Sequence, residues 1–213
     1  MNAVSEEQIA QFVDDCHRVA RYGLTQCSSG NLSRRIDGER MLISASRSWL
    51  GTLRPDQVVV CRIADGAVLN DRKPSVELGF HAGTLRQRPE LNAVLHCQSP
   101  CATVVACSAP DEVNFFVLPE IPYYIGRVAV LPYIPPGSPE LAQAVVSALE
   151  DHNMAVLRNH GQVTVGRNAD EALERAVFFE LACAVILRAG TAAQPLSDAA
   201  AADLMAASQG RRG

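Results

Sequence analysis

Apolar residues recur along much of this chain at every third or fourth position, which is the spacing of a helix with one buried face. The first such segment follows Ser5, whose partner Gln8 completes a capping box, and it ends at Gly23. The same spacing, with similar start and stop signals, predicts four more helices over about residues 73–86, 100–107, 139–151 and 169–188.

Short apolar runs between turn residues predict the strands. The dipeptides Asp37-Gly38 and Asp65-Gly66 are hairpin signals, so the runs that flank them should pair in antiparallel fashion. We predict strands over residues 32–36, 41–44, 58–63, 67–69, 92–98, 113–118, 128–131, 154–157 and 163–165. The pattern therefore predicts the α/β class with a largely antiparallel sheet.

No repeat and no linker interrupts this pattern, so residues 1–213 are predicted to form a single domain. From residue 190 onward the sequence is rich in alanine and weakly patterned. We expect residues 190–213 to be a weakly ordered C-terminal tail or a marginal helix.

Composition narrows the class of partner. The net charge of −4 and the 5% aromatic content do not favour nucleic acid, and the chain lacks an apolar run long enough for a membrane helix. The seven cysteines are an odd number without a CxxC pair, and the first residues are acidic where a signal peptide is basic. We expect a cytoplasmic protein with reduced cysteines.

Candidate chemistry centres on the predicted strand around His96. Side chains alternate between the faces of a strand, so His96 and Gln98 project to the same side. Glu77 at a helix start, Asn31 after Gly30, and His160 before a glycine are further candidates. Each has an ordinary structural explanation when it is taken alone, such as a charge that complements a helix dipole or a turn residue.

Taken together, these residues resemble the class II aldolase/adducin family. The resemblance rests on the ordered pieces SSGNLSRR, MLISAS, KPSVELGFH, RPELNAVLHCQSP, LPYIPPGSPELAQAV and AVLRNHGQVTVGRNADEALERA. It implies a three-layer α/β/α fold with a central, largely antiparallel sheet. It also implies a homotetramer whose active sites lie at subunit interfaces.

The resemblance further implies one divalent metal ion per subunit, zinc by family. By position, His96 and His160 would be its ligands, with Glu77 as general acid/base and resting ligand. Tyr123, or else Tyr124, would protonate the oxygen of a leaving aldehyde. The implied substrate-binding residues are Gly30, Asn31, Ser46, Arg47 and Ser75. The family often has a histidine at the position of His81, which we expect to be structural.

The sequence departs from the family pattern at Gln98, where a second strand histidine is usual. An amide oxygen at this position favours manganese or magnesium over zinc, or else the metal is lost. Arg47 replaces a phosphate-cradling glycine, and Val76 follows Ser75 where a second serine is usual. Arg47 would then bind a phosphate or carboxylate, or it is a solvated loop cation.

The resulting prediction is a metal-dependent lyase of the class II aldolase type. It would cleave or form a carbon–carbon bond through a metal-bound enediolate, on a small sugar phosphate or hydroxy acid. The alternatives are a decarboxylase or dehydratase on the same fold, and a non-catalytic, adducin-like assembly module with a degraded metal site.

Overall fold

The computed structural model describes residues 3–108 and 113–210, which form a seven-stranded sheet with helices on both faces. The strands are β1 (Gly30–Arg35), β2 (Arg40–Ser44), β3 (Val58–Arg62), β4 (Ala93–Cys97), β5 (Ala129–Leu131), β6 (Met154–Leu157) and β7 (Gly161–Gly166). The helices are α1 (Glu6–Arg21), α2 (Leu78–Gln87), α3 (Pro100–Ala106), α4 (Pro139–Asp151), α5 (Ala169–Ala189) and α6 (Asp198–Gly210).

The sheet has the strand order β3-β2-β1-β4-β7-β6-β5, which places β4 at its centre. All neighbouring strands are antiparallel except β5 and β6, which are parallel. In the register of the central strands, His96 of β4 lies between Asn31 of β1 and Val163 of β7. The predicted fold class, with its largely antiparallel sheet, is confirmed.

Two apolar layers cover the sheet. Helices α2 and α4 pack on one face, where Phe80 and Val145 join a buried cluster with Val94 of β4. Helices α1 and α5 cover the opposite face, where Phe12 lies in a cluster with Leu95. Because side chains alternate along a strand, His96 shares the face of Val94 and therefore points toward the α2 side.

Several predicted elements differ in the structure. Residues 113–118 form turns and loops instead of a strand, because their apolar side chains pack against a cluster that includes helix α5, where the buried Phe115 contacts Phe179. Residues 67–69 contribute an isolated bridge at Val68 and no strand. The second helix begins at Leu78, later than predicted, because Pro74 bridges to Ala45.

The C-terminal segment and the proline-rich segment contain helical structure that the sequence left open or did not indicate. Within residues 190–213, where a weakly ordered tail or a marginal helix was expected, helix α6 spans Asp198–Gly210. It packs against a π-helical turn, Ile121–Ile125, and Ala201 is buried.

Over the described residues, no helix is both long and apolar enough to cross a membrane.

Candidate active site

The structure brings Glu77, His96 and His160 together at one end of the central strands. Glu77 is the residue that caps helix α2, His96 lies in β4, and His160 lies in the turn between β6 and β7. All three side chains are buried, and one potential ligand atom of each lies within 4.8 Å of the others. Among the described residues, these three form the group of metal-ligating side chains whose geometry could hold a metal ion.

The distances in this cluster fit a divalent ion. Glu77 Oε2 lies 3.5 Å from His96 Nε2, and Glu77 Oε1 lies 3.5 Å from His160 Nε2. Ligand atoms at about 2.1 Å from a tetrahedral ion are separated from each other by roughly 3.4 Å. Glu77 Oε1 is also buried without a hydrogen-bond partner, and burial of an unpaired carboxylate oxygen is unfavourable. An ion between these groups would satisfy that oxygen.

The ring of His96 is held in the tautomer that a metal ligand needs. His96 Nδ1 lies 2.9 Å from the backbone carbonyl oxygen of Gln162, so Nδ1–H donates to that oxygen. The lone pair of Nε2 then faces Glu77. The side chain of Gln162 is anchored in turn, because its Nε2 donates to Ser99 Oγ, and Ser99 Oγ donates to Glu180.

Gly161 allows the turn with His160 to approach β4. A Cβ atom at this position would lie 2.6 Å from the carbonyl oxygen of Cys97 and 3.0 Å from Cγ of Gln98. Asn159 precedes His160 with a φ of 53°, the left-handed conformation that asparagine tolerates better than most residues. The side chain of Gln98 therefore lies over Gly161, next to the cluster.

A chain of buried hydrogen bonds supports Glu77 from the other side. Asn31 Nδ2 donates to Glu77 Oε2 at 2.8 Å, and Asn31 Oδ1 lies 2.5 Å from His81 Nε2. His81 Nδ1 is 2.7 Å from Ser33 Oγ. The sequence alone favours a structural role for His81. Its position four residues after Glu77 was the available signal, but its partners on β1 are distant in the chain.

Burial and neighbouring charges set the protonation of the site. Burial raises the pKa of Glu77. The electrostatic interaction with His96, the hydrogen bond donated by Asn31 and the electrostatic interaction with His160 together outweigh burial, so the pKa of Glu77 is lowered overall. Burial lowers the pKa of His160 to about 4, assisted by His96 and opposed by Glu77. Burial likewise lowers the pKa of His81 to about 3. At neutral pH the site therefore offers the carboxylate of Glu77 beside the neutral imidazole ring of His160.

A cavity of about 450 Å³ opens above the cluster. Polar residues that line it include Ser28, Ser29, Asn31, Ser46, Arg47, Ser48, Ser75, Gln98 and Asn159. Gly30 also lines it, so the structure gathers every predicted metal-binding and substrate-binding residue around one cavity. Tyr133 lines it too, although no sequence signal predicts a role for this residue.

Arg47 supplies the strongly basic side chain among the residues that line this cavity. It is exposed, and it has no hydrogen-bond or ion-pair partner within the described parts of the chain. Its φ of 62° lies in the left-handed region, which is the conformation that favours glycine. An unpaired guanidinium held in a strained loop at a cavity is typical of a functional position.

Tyr123 lies elsewhere. It belongs to the π-helical turn and lines a second cavity, of about 630 Å³, with Arg18, Tyr22 and Phe178. Tyr124 lines the same second cavity and stacks on Phe178. Neither tyrosine lines the cavity above Glu77, so the structure does not bring them to the predicted site within one subunit.

Comparison with known proteins gives consistent matches. Residues 10–187 match the family described as class II aldolase and adducin N-terminal domain. The chain is 33% identical over 155 residues to 3-oxo-tetronate 4-phosphate decarboxylase of Haemophilus influenzae, which covers 71% of this chain and 73% of that protein. It is 34% identical over 164 residues to L-fuculose phosphate aldolase of Methanococcus maripaludis, covering 77% and 87%.

Solved structures agree with this result. YgbL of Klebsiella pneumoniae superposes with a TM-score of 0.85 at 25% identity, covering 95% of this chain and 100% of that one. The curated relatives named above are a decarboxylase and an aldolase, both of which are lyases. The chain therefore belongs to the class II aldolase and adducin family, and it is a lyase of the class II aldolase type.

Proposed function

We propose that this protein is a divalent-metal-dependent lyase that cleaves or forms a carbon–carbon bond in a small hydroxy or oxo substrate with an anionic end. The observation that carries the proposal is the buried cluster of Glu77, His96 and His160 at the base of a cavity that also holds Arg47. A buried carboxylate beside two buried imidazoles suits a bound cation, and the free guanidinium above it suits an anion.

His96, His160 and Glu77 would hold the ion, with the amide oxygen of Gln98 as a further ligand. Gln98 lines the same cavity as these residues. When bound, a divalent ion polarises a substrate carbonyl and stabilises the negative charge that develops as the bond breaks. Zinc is the metal of the family, while the oxygen donor of Gln98 makes manganese or magnesium the alternative.

Glu77 would move the proton in this reaction. Its Oε2 is occupied by the hydrogen bond from Asn31, whereas its Oε1 has no hydrogen-bond partner and lies at the cluster. Oε1 is therefore the atom that accepts and returns the proton at the substrate carbon. Asn31 lines the cavity and would also bind an oxygen of the substrate.

Arg47 and the surrounding serines would bind the anionic end of the substrate. Ser46 and Ser75 line the cavity with Arg47, and their hydroxyl groups can donate to a phosphate or carboxylate. Aldol cleavage and decarboxylation both leave a carbanion next to an oxygen-bearing carbon, so this site supports either reaction. One relative is named as a decarboxylase and another as an aldolase, so the comparisons support both reactions equally.

Tyr123 would act in the site of another subunit. It lies outside the cavity of its own chain, in a surface cavity between helices α1 and α5 and the π-helical turn. We propose a homotetramer in which Tyr123, with Tyr124 as the alternative, serves the site of a neighbouring subunit: it donates a proton to the aldehyde oxygen as the carbon–carbon bond forms, and takes that proton back as the bond breaks. A cytoplasmic location stays a prediction from the sequence.

Metal content and turnover test the proposal together. The purified protein is expected to bind about one divalent ion per subunit, and His96→Ala and His160→Ala are expected to abolish this binding. His152→Ala is the matched control, because His152 lies at the end of helix α4 and bonds to the carbonyl of Ala148. Wild-type protein that binds neither manganese nor zinc would contradict the proposal.

A substrate screen then separates the reactions. Phosphorylated ketoses and phosphorylated oxo acids are compared, and the product is identified as an aldehyde or as carbon dioxide. Arg47→Ala is expected to raise KM for the anionic substrate at least tenfold. Arg54→Ala, which removes an exposed arginine paired with Asp56, is expected to leave KM unchanged. Equal KM values for the two variants would remove Arg47 from the site.

A further inference from the structure

Four buried polar residues form an unbroken hydrogen-bond chain from strand β1 to Glu77. Asn31 and Ser33 lie on the same face of β1, since they are two residues apart in a strand. His81 lies between them on helix α2, one turn after Glu77. Ser33 and His81 have no exposed surface, and Asn31 is 8% exposed. Water therefore has little access to replace these hydrogen bonds.

The direction of each bond in the chain is determined by the next. The amide of Asn31 has two orientations, and only one of them presents its NH₂ group to the carboxylate of Glu77. The opposite orientation would place two acceptor oxygens against each other. With Nδ2 directed at Glu77, Oδ1 faces His81, so His81 Nε2 must carry a hydrogen and donate it. His81 Nδ1 is then free to accept from Ser33 Oγ.

We propose that His81 is a positioning residue: its Nε2–H fixes the amide of Asn31 so that Nδ2 donates to Glu77 Oε2 and Oε1 stays free for the ion and the proton. Without this donor, Oδ1 of Asn31 loses its hydrogen-bond partner, and the position of the amide is then fixed by Glu77 alone. Glu77 then loses a fixed donor on one oxygen, and both of its oxygens compete for the same cluster. The inference rests on the proposed function for the role of Glu77, but the hydrogen-bond chain itself is testable independently.

The experiment compares four single variants of the 213-residue chain. His81→Phe fills the ring volume without a donor, and His81→Gln restores an N–H group near the position of Nε2. Asn31→Ala removes the residue through which His81 acts. Thr84→Val is the matched control, because Thr84 is buried on the same helix and its hydroxyl has no protein partner. Thermal unfolding checks that each variant is folded.

The first measurement is the tautomer of His81, from the ring nitrogen shifts of protein labelled with ¹⁵N-histidine. The signals of His81 are assigned by their loss in His81→Phe. We expect Nε2 to carry a hydrogen and the Asn31 side-chain amide signal to move in His81→Phe but not in Thr84→Val. A ring with a hydrogen on Nδ1 alone, or an unmoved Asn31 signal, would overturn the inference. Neither measurement needs metal or substrate.

The second measurement is the affinity of the metal-free protein for Mn²⁺, chosen because the exposed thiols of Cys27 and Cys107 bind this ion poorly. Loss of a group that orients a metal ligand typically weakens binding by about 10- to 100-fold. We expect about tenfold weaker binding in His81→Phe, recovery to within about threefold in His81→Gln, and no effect in Thr84→Val.

A double variant separates positioning from a general packing role. If His81 acts through Asn31, His81→Phe should weaken Mn²⁺ binding by less than twofold when Asn31→Ala is already present. Additive losses would show a packing role and overturn the inference. Wild-type protein that binds no Mn²⁺ would contradict the proposed function instead, and the nitrogen shifts and the Asn31 signal would then decide the role of His81.

Discussion

Replacement of Gly161 by alanine should disrupt the site while the rest of the fold remains intact. The added Cβ would lie 2.6 Å from the carbonyl oxygen of Cys97, whereas ordinary contacts begin at 3.4 Å. The turn that carries His160 must therefore move away from β4 by roughly 0.8 Å. The carbonyl group of Cys97 belongs to the backbone of β4, which is held between two strands at the centre of the sheet. The turn is therefore the part that moves.

The size of the effect follows from this displacement. Crowding in a packed region typically costs about 1–3 kcal/mol, which for a chain of this size lowers Tm by roughly 2–12 °C. The effect on the site should be larger, because functional side chains need to be placed within about 0.5 Å. We expect Gly161→Ala to weaken divalent-ion binding at least tenfold.

The assay is calorimetric titration of Mn²⁺ into metal-free protein, with thermal unfolding of the same samples. Gly38→Ala is the control, because its added Cβ meets no atom within 4 Å and the residue lies in a surface hairpin. It should leave ion binding unchanged. Equal ion affinities for Gly161→Ala and Gly38→Ala would refute the argument that close approach at Gly161 assembles the site.

Three further outcomes are expected. Glu77→Gln should keep the fold and bind Mn²⁺ more weakly yet lose turnover at least a hundredfold, because an amide cannot accept the proton; activity near that of the wild type would remove Glu77 from the proton transfer. Gln98→His should tighten zinc binding in competition with a chelator, with the same change in a His160→Ala background as the control for unspecific sites; an unchanged affinity would place Gln98 away from the ion. The pKa of His81 is lowered from 6.5 to about 3 in the folded protein, so the unfolded chain binds more protons at pH values between these two. The contribution of the neutral ring to the free energy of unfolding is therefore complete above pH 6.5 and is lost as the pH falls through this range. His81→Gln should reduce that slope by about 1.4 kcal/mol per pH unit in urea unfolding of the metal-free protein at pH 6.5, 5.5 and 4.5, and an unchanged slope would contradict the buried neutral ring.

Local signals in the sequence predicted most of the secondary structure. The capping box at Ser5 is present where the sequence places it, and the side chain of Ser138 caps helix α4. The side chain of Asn168 also caps helix α5, because it accepts from Glu171 N. A capping box does not form there, since the carboxylate of Glu171 accepts from Arg167 N and not from Asn168 N. These features depend on neighbours within four residues, which is why they can be predicted from a single sequence.

Features that depend on distant contacts were harder to predict. The apolar run at residues 113–118 resembles a strand, but it is buried against helix α5, and an apolar run alone does not specify which surface buries it. The hydrogen bond from His81 to Asn31 joins residues 50 positions apart. The metal cluster was predicted from a family resemblance, since spacing along the chain does not bring His160 to His96.

Strand β4 has a further consequence for how the site binds its ion. It lies at the middle of the sheet with β1 and β7 on its two sides, and all of its residues are buried. Such a strand opens only when the whole domain unfolds. The ion therefore meets a cavity whose walls are already assembled, and ordering of the chain contributes little to the free energy of binding. Dehydration of the ion, and not folding of the protein around it, is then the main unfavourable contribution to complex formation.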